Sequence, residues 1–131
     1  YQCDNLKNGN ISTHVNRIMK EVAEKLSIHE EETLYYNIRL AIWEIFCNIV
    51  VHSHTHLDKK VQVKIEMDTE NKIYVTIKDY GEGFQWKEKI KKEMPPFLQI
   101  GGRGLLFIQQ VCEQFYFDSI GRKATIVFQY K

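Results

Sequence analysis

Three polar side chains recur at every fourth position of an otherwise apolar stretch: Glu44, Asn48 and His52. On an α-helix each step of four residues turns the side-chain direction by only about 40°, so the three lie on one stripe. A carboxylate and an amide are costly to bury without partners. The stripe is therefore either a solvated face of the helix or part of a functional site.

The last of these residues also opens an alternating run of histidines, VHSHTH at 51–56. Alternating histidines can bind Zn²⁺ or Ni²⁺, which leaves a metalloprotein as an alternative. On a helix, however, residues two apart point about 200° away from each other, so they converge only in an extended segment. We assign His52 to the helical stripe and expect His54 and His56 to be exposed in the following loop.

Two glycine-containing segments could approach a ligand closely. DYGEGF at 79–84 follows a strand pattern directly, and its glycines permit positive φ and close approach of the backbone. GGRGLL at 101–106 leads into a helix, whose free N–H groups and dipole suit a phosphate. Each segment alone also fits an ordinary turn or loop–helix junction. The sequence has no Gly-x-x-x-x-Gly-Lys-Ser/Thr, which excludes a P-loop.

Hydrophobic periodicity predicts the helices that position these residues. An amphipathic helix is predicted over 12–27 with Ser12 as its N-cap. The helix that carries the polar stripe is predicted to begin after Ser27, because Ser27 and Glu30 fit a capping box. A third helix is predicted from about Gly104 to Gln114.

Strict alternation of apolar and polar residues predicts strands at 61–67 and 72–79, joined as a hairpin by a short polar turn. Further strands are predicted around 115–119 and 124–130. Residues 85–101 carry both prolines of the chain and read as a long loop or a lid. Helices on one face of a mainly antiparallel sheet make a two-layer α+β sandwich.

Length, net charge and cysteine spacing narrow the range of protein classes to which the chain could belong. The 131 residues suit a single domain, and a net charge of +1 gives little support to nucleic-acid binding. The three cysteines are widely spaced without a CxxC, which favours a reducing, cytoplasmic setting over a disulfide framework. No apolar run reaches about 18 residues, so we expect no membrane span.

Taken together and in this order, the segments resemble the nucleotide-binding set of the GHKL, or Bergerat-fold, ATPases. That family has an Asn-containing polar helix, a strand ending in Asp-x-Gly-x-Gly, a lid, and a Gly-x-Gly that opens a helix. The matching residues here are 44–52, 79–84, 85–101 and 102–105. The resemblance spans nearly the whole chain, and it implies a mainly antiparallel mixed sheet covered on one face by about three helices.

The order Glu44, Asn48, His52 and the run GGRGLLFIQQVCEQF are similar to one branch, the anti-sigma factor serine-protein kinases. Histidine-kinase catalytic domains, a further alternative, usually show two Asn four apart, followed by a Lys. The resemblance implies a Mg-ATP-dependent kinase that phosphorylates a serine on a STAS-type anti-anti-sigma protein and sequesters a sigma factor. The low net charge and the short apolar runs predict no direct contact with nucleic acid or membrane. The resemblance implies a homodimer, because family members commonly dimerise.

Two other readings stay open beside the kinase: a regulatory module that binds nucleotide with little or no transfer, and an ATP-binding domain cut from a larger signalling protein. The resemblance also implies roles for single residues. Glu44 is the general base, Asn48 the Mg²⁺ ligand, and Asp79 the acceptor for the exocyclic amine of adenine. The remaining ATP contacts that it implies are His52, Gly81, Gly83, Phe84, Gly102, Arg103, Gly104, Leu105 and Thr125.

Overall fold

The computed structural model of the protein describes residues 1–3, 6, 8–52, 60–79, 100–118 and 123–130. In these residues, helices pack on one face of an antiparallel sheet, which confirms the predicted two-layer α+β class. The segment predicted as a lid lies outside the described residues up to residue 99. Within the described part of the chain, no helix has both the length and the apolar character that crossing a membrane requires.

The sheet has five strands in the order β1-β2-β3-β5-β4, and all the pairings between them are antiparallel. The hairpin predicted from alternation is confirmed, and Asn71 in its turn has a positive φ of 62°. β1 is too short to leave a periodic signal in the sequence. The strands are β1 (Gln2–Cys3), β2 (Val61–Met67), β3 (Lys72–Asp79), β4 (Gln114–Phe117) and β5 (Lys123–Gln129).

The core lies between the sheet and the helix α2 (Thr33–His52), which contacts β3 and β5. Along β3 every second residue is buried, so one face of the strand points toward the helices. The helix contributes a full set of apolar side chains to the same core. The buried members from these elements are Ile38, Ala41, Ile42, Ile45, Phe46 and Ile49 of α2, Ile73, Val75 and Ile77 of β3, and Ala124, Ile126 and Phe128 of β5.

The junction between the first two helices differs from the prediction. The first helix, α1, runs Ile11–Leu26 with Asn10 as its N-cap, so Ser12 lies inside it. Ser27 adopts the left-handed conformation that ends α1, at φ 55° and ψ 42°. α2 begins only at Thr33, so Ser27 is too far along the chain from it to act as its N-cap. Instead the Glu32 carboxylate accepts a hydrogen bond from the His29 N–H at 2.8 Å, and α2 begins at the next residue, Thr33.

The third helix, α3, runs Ile100–Val111, about four residues upstream of the predicted span at its start. Glycine disfavours a helix interior, and the apolar set Leu105, Ile108 and Cys112 begins only after Gly104, so the sequence pattern does not show this earlier start. In the structure Gly101, Gly102 and Gly104 are all helical. The helix ends at Val111, and two residues lead from there directly into β4.

Candidate functional site

The helical stripe predicted from the sequence forms in α2, and its middle residue is buried. Asn48 is only 3% exposed, whereas Glu44, one turn earlier, is half-buried. The Asn48 Nδ2 donates a hydrogen bond to the main-chain carbonyl oxygen of Glu44 at 2.9 Å. This bond fixes the nitrogen end of the amide along the helix and orients the Oδ1 atom away from that carbonyl.

The environment of Glu44 favours its neutral form. Burial raises the pKa of the Glu44 carboxyl above its ordinary value. A carboxylate with a raised pKa accepts a proton more readily at neutral pH than an exposed one does, which is what general-base work needs. The side chain is half-buried, so it still has a route to a ligand or to solvent.

Cys47 is a neighbour of this stripe on α2. Its thiol pKa is raised first by burial and then by the negative charge of Glu44. The spacing of three residues between them on one helix was the available signal, because side chains at i and i+3 are neighbours. The raised pKa keeps Cys47 in its thiol form, so it adds bulk beside Glu44 and no charge.

Asp79 is the second buried polar residue that the sequence singled out. It is the last residue of β3 and is 7% exposed. Because it follows Ile73, Val75 and Ile77 at alternate positions, its side chain lies on the face of the sheet that carries the helices. Its partner across the ladder is Val61, the first residue of β2. A carboxylate is thus placed at the edge of the same core that Asn48 borders.

Thr125 does not share that face. In the ladder between β3 and β5, Thr125 is paired with Thr76, whereas Ile77 of the helix face is paired with Ala124. Paired residues in an antiparallel sheet point to the same side, so Thr125 points to the side away from the helices. Thr125 therefore lies on a different face of the sheet from Asp79, although it is only 7% exposed. Its role in holding adenine stays a prediction.

The second glycine segment forms the first turns of α3. Gly102 and Arg103 belong to its first four residues, whose N–H groups have no partner within a helix, and Gly104 and Leu105 follow. A helix start of this kind can hold an anion through its main chain and its dipole. α3 also packs against α2, so this end of the helix belongs to the same layer as the polar stripe.

Other predicted site residues fall outside what the structure describes. Gly81, Gly83 and Phe84 lie there, as do His54 and His56. His52 is the last residue of α2, as expected, but its side chain is not among those described. Across the ranges that are described, His, Cys, Asp and Glu side chains form no group of three that could hold a metal ion.

Comparison with known proteins places this arrangement in a family. The sequence profile of the histidine kinase-like ATPase domain matches residues 6–130. The histidine kinase domain of the blue-light activated histidine kinase from Erythrobacter litoralis EL346 is similar in structure, with a TM-score of 0.54 at 15% identity over 90% of this chain and 60% of that chain. A second structure of that kinase has a TM-score of 0.54 at 16% identity, over 92% of this chain and 42% of that chain.

The chain spans less than two thirds of the length of either structure, and identities this low show a shared fold alone. No curated protein matches the chain. The family profile, in contrast, covers nearly every residue from the start of the sequence to its end. The protein belongs to the histidine kinase-like ATPase domain family, and so to the GHKL type of ATPase that its motifs resemble.

Proposed function

We propose that this domain binds Mg-ATP and transfers the γ-phosphoryl group to a serine of a STAS-type anti-anti-sigma protein, and that it sequesters a sigma factor. The observation that carries the proposal is the burial of Asn48 and Asp79 at one core, with Glu44 one helical turn before Asn48. Asn48 and Asp79 are polar groups that are costly to place between a helix layer and a sheet unless they serve a ligand or a network. Such a regulator would act in the cytoplasm.

The chemistry of the side chains fits the cofactor. Mg²⁺ prefers oxygen ligands and keeps several waters and phosphates, so one amide oxygen from Asn48 is a sufficient share from the protein. The Asp79 carboxylate accepts a hydrogen bond from the exocyclic amine of adenine, a donor that guanine does not have at that position. The N–H groups at the start of α3 hold phosphate oxygens. When bound, Mg²⁺ neutralises charge on the phosphates.

In the transfer itself, Glu44 takes the proton of the serine hydroxyl while the serine oxygen bonds to the γ-phosphorus. The bond from that phosphorus to the bridging oxygen of ADP breaks, and ADP leaves with the electron pair. The raised pKa of Glu44 suits this role, since the base must hold the proton once it has accepted it. Most of the catalysis then comes from positioning and charge neutralisation.

A second candidate function is a regulatory module that binds nucleotide with little or no transfer, or the ATP-binding domain of a larger signalling protein. The observation in its favour is that the similar solved structures are considerably longer than this chain. The kinase proposal includes a homodimer and no direct contact with nucleic acid or membrane. These properties do not distinguish the two candidate functions.

The deciding experiment follows labelled γ-phosphate from ATP to a purified STAS-type protein with Mg²⁺ present. We expect the label on a serine of the STAS protein, and its loss both with EDTA and with Glu44→Gln. Nucleotide binding by calorimetry without any labelled product would instead support the binding module. The absence of binding would contradict both candidates.

A further inference from the structure

The side of the sheet away from the helices carries a patch that the nucleotide site does not use. Its residues alternate with the core residues along each strand, so the register of the ladders places them together on one face. This is the face to which Thr125 points. We call the patch the outer patch, and it consists of Lys64 of β2, Tyr74 and Lys78 of β3, Lys123 and Val127 of β5, and Tyr116 of β4.

The middle of the outer patch is apolar. Val127 is paired across the ladder with Tyr74, and Tyr116 lies on the strand at the other side of β5, diagonal to Val127. Val127 is only 1% exposed, yet it is not part of the hydrophobic core on the helix side. Tyr116, in contrast, is 48% exposed. The sheet therefore has a second, smaller apolar cluster on its outer face, and Tyr116 offers apolar surface to a partner there.

One end of the outer patch is basic. Lys78 and Lys123 are directly opposite each other in the ladder between β3 and β5, and both are exposed. Lys64 is diagonal to Lys78, because the residue that pairs with Lys78 is Gln62, two positions before Lys64. Like charges directly opposite each other destabilise a sheet. An arrangement that costs stability in this way is expected mainly at functional sites, so the two lysines indicate a site for a negatively charged group.

Two carboxylates near the basic end leave its lysine pair in place. The Glu66 Oε1 is 3.4 Å from the Lys64 Nζ, but the two side chains are 62% and 67% exposed, so this ion pair contributes little. The Asp118 carboxylate accepts a hydrogen bond from the main-chain N–H of Lys123 at 3.2 Å. A partner carboxylate placed between Lys78 and Lys123 would replace their repulsion with two charge-assisted contacts.

We propose that the outer patch docks a short acidic segment of a partner protein, with an aromatic or apolar side chain on Tyr116 and a carboxylate between Lys78 and Lys123. The patch measures about 14 Å across its four strands and about 20 Å along β3, far less than the roughly 800 Å² per partner of a stable interface. Binding is therefore weak, and salt weakens it further. The inference is independent of the proposed kinase function, because no residue of the outer patch belongs to the proposed nucleotide site.

The probe for this proposal is a short fluorescent peptide in which glutamates flank a tryptophan, compared with a peptide in which glutamines replace the glutamates. Fluorescence anisotropy should show that the wild type binds the acidic peptide about tenfold more tightly than the neutral one. Lys78→Glu should weaken binding of the acidic peptide about tenfold, and Tyr116→Ser should weaken binding of both peptides. Lys20→Glu makes the same change of charge at an exposed position of α1 and should bind like the wild type.

Unfolding in urea separates a lost contact from a damaged fold. Lys78→Glu places opposite charges across from each other on β3 and β5, so its unfolding midpoint should rise above that of the wild type. A variant that is more stable and binds the acidic peptide more weakly has lost a docking contact.

Four outcomes would overturn the proposal. The first two are equal affinity of the wild type for the two peptides and equal weakening by Lys78→Glu and Lys20→Glu. The third is tighter binding of a single-stranded oligonucleotide of the same charge, which would assign the outer patch to nucleic acid. The fourth is self-association of the wild type that Lys78→Glu removes, which would assign the patch to a second copy of the chain.

Discussion

The side-chain amide of Asn48 is tied back to the carbonyl oxygen of Glu44, one turn earlier on the same helix, by a hydrogen bond of 2.9 Å. The bond uses the nitrogen of the amide, and the atom proposed to bind Mg²⁺ is the other one, Oδ1. The residue proposed to hold Mg²⁺ and the residue proposed to take the proton are thus joined through the backbone of α2.

Asn48→Ala should abolish Mg²⁺-dependent ATP binding while costing only about 0.5–1.5 kcal/mol of stability from the lost hydrogen bond. Calorimetry with and without Mg²⁺ measures the first effect, and urea unfolding measures the second. Asn37→Ala, at a half-buried position on the same helix, is the matched control and should bind like the wild type. Unchanged binding by Asn48→Ala would remove Asn48 from the metal site.

Glu44→Gln should retain ATP binding and lose most phosphoryl transfer, because glutamine cannot accept the serine proton. In the wild type, transfer should rise with pH through a midpoint above the ordinary pKa of glutamate, since burial raises the pKa of Glu44. Rates at several pH values in excess ATP check both statements. Glu24→Gln, exposed on α1, should have no effect. Equal rates for the two variants would argue against Glu44 as the base.

The same raised pKa makes a prediction about stability. A carboxyl whose pKa is higher in the folded than in the unfolded state stabilises the fold at low pH, and this contribution is lost as pH rises through the folded-state pKa. Glu44→Gln should therefore be more stable than the wild type at pH 7 to 8. The difference should shrink toward pH 4, which urea unfolding at a series of pH values would show. A constant difference would mean that ionisation of Glu44 is not its cause.

Asp79→Asn should weaken ATP binding by about 1.5–3 kcal/mol, tenfold to roughly a hundredfold, because a neutral amide replaces the charged carboxylate that would accept the hydrogen bond of the adenine amine. Discrimination between ATP and GTP should fall with it. Titration calorimetry with both nucleotides is the measurement. Glu66→Gln, on the exposed side of β2, serves as the control for removing a charge from the sheet. Wild-type affinity in Asp79→Asn would count against the whole site.

Thr125→Val tests whether Thr125 has the role in adenine binding that the resemblance implies. The resemblance implies that the Thr125 hydroxyl contributes to holding adenine, whereas the ladder places it on the other side of the sheet from Asp79. We expect Thr125→Val to bind ATP with an affinity within about twofold of the wild type, in contrast to the large loss expected for Asp79→Asn. A loss comparable to that of Asp79→Asn would restore Thr125 to the site.

The strands and the polar stripe were predictable because each leaves a regular signal. Alternation in 61–67 and 72–79 gives the hairpin, and the order Glu44, Asn48, His52 gives one side of a helix. β5 gives no such signal, since Ala124 to Phe128 are all buried. Its side-chain directions are set by its register against β3, which one sequence does not reveal.

The helix boundaries were less predictable for local reasons. Ser27 followed by Glu30 fits a capping box, yet the serine takes the left-handed conformation that usually falls to glycine or asparagine. The three glycines near the start of α3 each disfavour helix by about 1 kcal/mol relative to alanine, and tertiary packing overrides that preference. Neither the left-handed serine nor the helical glycines leave a regular signal in the sequence.

β5 is the last strand in the sequence, yet it lies inside the sheet, between β3 and β4. During synthesis on the ribosome, β4 therefore has no neighbour to join, and β3 presents an open edge, until residues 123–129 have emerged. Pairing of β3 with β5 connects residues about fifty positions apart, and such distant contacts form slowly. We expect the hairpin of the nascent chain to stay exposed until β5 has emerged. During that interval the chain is most prone to aggregation and has most need of a chaperone.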